Sequence, residues 1–157
     1  MRLVEVPERN TRHSKDSTMR LLILRITLGV VAFFQIALAI VFLVIPGPFA
    51  AASGLAETPP WAYWMFAMFS ARALGYAVGM ILAIREPVRH RAWIVTMIGV
   101  QALDWIATLA FIGVGAITVA QASTAAFLPA VFIVLLLATM PRARAREGSA
   151  VRAATVS

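Results

Sequence analysis

Four long apolar runs, parted by short polar or proline-rich stretches, organise this chain: Leu21 to Ile45, Trp61 to Ile84, Ala92 to Ile112 and a shorter Ala122 to Met140. A hydrocarbon core about 30 Å thick needs roughly 20 residues of helix to cross it. The runs therefore predict an all-α protein, an integral membrane four-helix transmembrane bundle over residues 21–140. A polar N-terminal arm, residues 1–20, precedes the bundle, and a basic tail, residues 141–157, follows it. The first run is too long for the apolar part of a cleavable signal peptide and is expected to remain as a span.

Within these runs the polar positions are few. Arg72 interrupts the second span thirteen residues before Arg85, its flank, which is roughly 19 Å at helical rise. Asp104 interrupts the third span thirteen residues after Arg91, at the same depth. Each such residue costs about 2.5–3.5 kcal/mol near a helix centre when it faces lipid. Consecutive antiparallel helices are usually neighbours, so Arg72 and Asp104 are expected to face each other. Gln101, Asp104 and Thr108 fall at i, i+3 and i+7 and make one polar stripe. Gln35 of the first span reaches a similar level, and Tyr76 lies one turn from Arg72. The expected intramembrane polar network is Arg72, Asp104, Gln101, Gln35, Tyr76 and Thr108.

Small residues give a second pattern. Ala71, Gly75, Gly79 and Ala83 recur every fourth position, a stripe on which another helix can pack closely. Pro129 is expected to kink the fourth span. The connection PGPFAAASGLAETPP suggests a short interfacial helix from about Phe49 to Leu55. Trp61, Tyr63 and Trp64 would form an aromatic belt at one end of the second span, and Trp93 would mark the other interface on the third.

Composition agrees with lipid as the main solvent, since 61% of the 157 residues are hydrophobic, 13% are charged, and mean hydropathy is +0.86. The net charge of +7 raises nucleic acid as a partner, but the distribution of arginines argues for topology instead. Basic residues cluster before span 1, between spans 2 and 3 and after span 4, while the other two connections hold none. The positive-inside rule then puts both termini in the cytoplasm. No aromatic residues interleave with the tail arginines, so no stacking platform for bases is present.

Catalytic and cofactor chemistry finds little support. The chain has no cysteine, and both histidines, His13 and His90, lie outside the spans. Thiolate ligation and a bis-histidine haem within the bundle are therefore excluded. There is no HExxH, phosphate loop or dinucleotide fingerprint. Asp104 is the sole acid within a span, so no pair of carboxylates is available there. No cofactor, metal site or catalytic residue is expected. An arginine at the depth of Asp104 favours a neutral or anionic ligand over a cationic one.

The order of Pro48-Phe49, Gly54-Leu55 and Pro59-Pro60, then ARALGYAVG, IREPVRHRAW and a third span bearing QALD, resembles small four-span bacterial proteins of the DoxX-like group and related families of unknown function. The likeness covers about residues 20 to 140. It implies a four-helix bundle in the bacterial inner membrane, and through the name of DoxX itself it raises a subunit of a thiosulfate:quinone oxidoreductase. The leading expectation is a non-enzymatic accessory or scaffolding subunit, surrounded by the lipid bilayer and associated with other membrane subunits or with further copies of itself. The alternatives are a small carrier for a lipophilic molecule such as a quinone or lipid, or a DoxX-like oxidoreductase subunit.

Overall fold

The computed structural model describes residues 9–54 and 58–141, with side chains from residue 15 onward. The first residues of the N-terminal arm, Leu55 to Glu57 of the proline-rich connection and most of the basic tail lie outside these limits. The architecture is all-α: α1 (Arg9–Val44), α2 (Pro46–Ala52), α3 (Pro60–Arg85), α4 (Arg91–Gly113), a single turn α5 (Val119–Ala122), a 3-10 turn (Ser123–Ala126) and α6 (Leu128–Thr139). Four segments are long and apolar enough to cross a membrane, namely Lys15–Val44, Pro60–Arg85, Arg91–Gly113 and Val119–Thr139. The protein is a multi-pass helical bundle.

Neighbours follow one another in a ring of α1, α3, α4 and α6. The α1 and α3 helices make the most extensive pairing. It extends from Gly29 against Ile84 at one end to Phe42 against Phe66, ring centroids 5.0 Å apart, at the other. Buried Ser70, Ala73 and Ala77 on α3, with Ala32 and Ala39 on α1, permit that close approach. Arg20 donates to the Ala138 carbonyl at 3.4 Å, tying the start of the first span to the end of the last. That end of the bundle, which also holds Arg85, Arg89 and Arg91, is here called the basic end.

The apolar core is concentrated toward the basic end. Leu24, Leu28, Met80, Ile94, Met97 and Leu136 are fully buried there, with half-buried Tyr76 packed on them. Trp93, expected at an interface, instead turns inward and lies on Gly79, where any Cβ would overlap its ring. Trp61 and Trp64 are exposed, as an interfacial belt requires. The small-residue stripe is thus divided. Gly79 and Ala83 are buried, whereas Ala71 and Gly75 are exposed and a Cβ on Gly75 would meet nothing within 4 Å.

The fourth span is discontinuous rather than kinked. Pro129 occupies the first turn of α6, where its missing N–H is no loss, so a helix begins at this proline. At twelve residues α6 is about 18 Å long, too short to cross alone. The preceding α5 starts from a capping box: Thr118 Oγ1 accepts from the Gln121 backbone N–H, and Gln121 Oε1 accepts from that of Thr118. Between these starts, Ser123 takes φ 49° and ψ −126°, a backbone region that costs a residue with a Cβ about 1–3 kcal/mol. Ser123→Gly should therefore raise stability by about 1 kcal/mol, read as a higher denaturation midpoint in detergent. A midpoint at or below wild type would mean that the serine conformation is not strained.

The proline-rich connection also differs from expectation. Its helix spans Pro46–Ala52, beginning earlier than Phe49 because Pro46 suits a first turn. It ends before Gly54, whose φ of +77° reverses the chain. Phe49 is half-buried and packs against Phe42 at 5.0 Å and Phe66 at 6.4 Å between ring centroids. The α2 helix is therefore docked on α1 and α3 through an aromatic cluster.

Candidate functional site

Away from the basic end the core thins and a cavity of about 860 Å3 takes its place. It is an open cleft whose walls come from α1, α2, α4, the α5 and 3-10 turns, and the start of α6. Phe34, Leu38, Phe42 and Phe132 provide apolar wall, and Gln35, Gln101, Asp104 and Thr108 provide polar wall. Volumes of roughly 300–1,000 Å3, mostly apolar with a few converging polar groups, characterise small-molecule sites.

Helix breaks shape this cleft. Non-helical backbone at membrane depth is tolerated only where protein covers it or where it lines a cavity. Residues 120–125, which hold the break in the fourth span, line the cavity. Trp105 Nε1 donates to the Ala126 carbonyl at 2.8 Å, satisfying one acceptor freed there and fixing the 3-10 turn to α4. The connections at this end also meet each other, since a Cβ on Gly54 would sit 3.0 Å from Gln121 Nε2. The turn after α2 and the turn of α5 thus join above the cleft.

Part of the expected polar network assembles. Gln35 and Gln101 donate to the same acceptor, Met97 Sδ, at 4.0 and 3.7 Å. A thioether is a weak acceptor, so both amides keep capacity for a further partner. Gln101 is 9% exposed, and what surface it retains belongs to the cavity wall. Thr108 Oγ1 donates to the Asp104 backbone carbonyl at 2.8 Å, so the Asp104 carboxylate receives nothing from it. Asp104 itself is exposed.

Arg72 and Tyr76 do not join. The single ion pair among the described residues is Arg89 with Glu86, 3.4 Å apart and exposed. Arg72 is exposed, its guanidinium carbon 5.9 Å above the centroid of the Phe69 ring on its own helix. The reason lies in how α3 meets α4. These helices meet where Trp93 occupies the space at Gly79, but their pairing is the sparsest in the ring, and one turn on a Cβ at Gly75 would meet nothing within 4 Å. Equal spacing from their basic flanks does not bring Arg72 and Asp104 into an ion pair. The charge balance of the cavity changes accordingly, because its wall carries an acid and no arginine.

Sequence reasoning missed the aromatic wall and the broken fourth span. The signals were present in Thr118-x-x-Gln121, a capping box pattern, and in Pro129, in the first turn of a helix that starts nine residues after the first. Among the described residues no cluster of three or more His, Asp or Glu side chains comes together to hold a metal ion. Compared with protein-family models, with curated proteins and with solved structures, the chain matches none.

Proposed function

We propose that this protein is a small intramembrane binding protein or carrier for a lipophilic molecule. The ligand's apolar body lies against Phe34, Leu38 and Phe132, and its polar end reaches Asp104, Gln101 and Gln35. The observation that carries this reading is the coincidence of the cavity with the break in the fourth span. A bundle that served only as a scaffold gains nothing from interrupting a transmembrane helix. Discontinuous helices at membrane depth are a recurrent way of building ligand sites in secondary transporters. In this reading the basic end faces the cytoplasm, as the arginine distribution predicts, in the bacterial inner membrane that the DoxX-like resemblance implies.

A second reading, an accessory subunit held against another membrane protein, is favoured by Arg72. It is exposed in mid-span beside exposed Ala71 and Gly75, a surface on which a foreign helix could lie. The two readings separate by experiment. The full chain is extracted gently from its own membrane, as wild type and as Asp104→Asn, and everything that co-purifies is identified by mass spectrometry. The binding reading expects a defined small molecule with the wild type and about tenfold less with the variant, a loss equal to about 1.4 kcal/mol. Stoichiometric partner proteins, with no small molecule on either form, would favour the subunit.

A further inference from the structure

Resting on that binding role, we infer that the ligand is a zwitterionic membrane lipid, its phosphate on Arg72 and its ammonium group on Asp104 across the open seam between α3 and α4. The two charges share the seam by helical geometry. Gly79 of α3 faces Trp93 of α4. Arg72 lies seven residues before Gly79, about two turns, and so projects from the same face. Asp104 lies eleven residues after Trp93, about three turns, and likewise keeps its direction. Both residues therefore lie on the helix faces that meet at Gly79 and Trp93, on the stretch beyond that contact.

Neither charge meets an opposite charge among the described residues. Both side chains are exposed, and they form no ion pair with each other. A ligand bearing one charge would neutralise one lip of the seam and leave the other. A ligand bearing both, separated by a short linker, neutralises both. The guanidinium fork suits phosphate oxygens, which it can hold through two parallel hydrogen bonds. A carboxylate accepts from a primary ammonium group but finds no N–H on a quaternary one.

The position of the seam suits a lipid. Asp104 is nine residues from Gly113, roughly 14 Å from the end of α4 opposite the basic end. Thr108, Gln121 and Thr124 continue the polar wall of the cavity toward that end. A headgroup from the nearer leaflet thus has a polar approach to the seam. Asp104 belongs both to the seam and to the cavity, so acyl chains can lie against Phe34, Leu38 and Phe132 while the headgroup bridges the lips.

The test places the full chain in nanodiscs of equal parts phosphatidylethanolamine, phosphatidylcholine and phosphatidylglycerol, and identifies the lipid retained on release by native mass spectrometry. Phosphatidylethanolamine should be retained over phosphatidylglycerol by about tenfold, with phosphatidylcholine between. Asp104→Asn should lower retained phosphatidylethanolamine about tenfold, to the level of phosphatidylglycerol, and so remove that preference. Arg72→Gln should lower retention of all three alike, because each carries a phosphate. Retained lipid that mirrors the disc composition in the wild type would overturn the headgroup assignment and leave the binding role standing. Release of empty protein would overturn both. A two-chain species without lipid would show that a second copy covers the seam, and would also overturn the assignment.

Discussion

A leucine at Gly79 is expected to destabilise the bundle by about 3 kcal/mol, whereas the same change at Gly75 should cost no more than about 0.5 kcal/mol. Both glycines belong to one stripe and one GxxxG pattern. Their surroundings differ. At Gly79 a Cβ would fall within the Trp93 ring, and the indole sits among the buried residues of α3 and α4 near the basic end. The half-buried indole is backed by the core on its inner side, so admitting a leucine forces the ring outward or the helices apart. At Gly75 an added side chain meets nothing within 4 Å and extends into the open seam. Reversible denaturation in detergent micelles, followed by helical circular dichroism, measures the pair directly. Equal losses at the two positions would mean that α3 and α4 pack along their whole length, and the seam would not exist.

Leu38→Trp should reduce retention of the bound small molecule by about tenfold or more while leaving the melting transition close to that of the wild type. Leu38 is exposed on α1 and borders the cavity, so the larger ring has room to enter without displacing core residues. It then occupies the volume that an apolar ligand body would use. A control substitution, Leu43→Trp, falls on an exposed residue of the same helix that does not line the cavity. That variant should retain its ligand. Loss from both variants, or from neither, would separate binding from this cavity.

The number of spans and their approximate limits were legible in the sequence because burial in lipid demands a minimum apolar length. Continuity was not legible, since hydropathy averages over a short break. Residues 122–140 read as one span, although the chain starts a helix at Val119 and again at Leu128. The local chemistry of Thr118, Gln121 and Pro129 spelled out those starts more faithfully than the hydropathy did. The polar network was half legible. Spacing placed Gln101, Asp104 and Thr108 on one helix, and depth brought Gln35 to them around Met97. Whether Arg72 met Asp104 depended on the angle between α3 and α4, which is set by Trp93 on Gly79 and by the tight pairing of α3 with α1. Neither contact can be read from the position of a charge.

Site-specific photo-crosslinking tests the binding role most directly. A photoreactive phenylalanine analogue is placed at Leu38, inside the cavity, and separately at Leu43, on the outer surface of the same helix. After irradiation in intact membranes, the intact mass of each variant reports what became attached. The account predicts adducts of a single ligand class at residue 38 and the mixed lipid population of the membrane at residue 43. The same mixed population at both positions, or no adduct at residue 38, would contradict it.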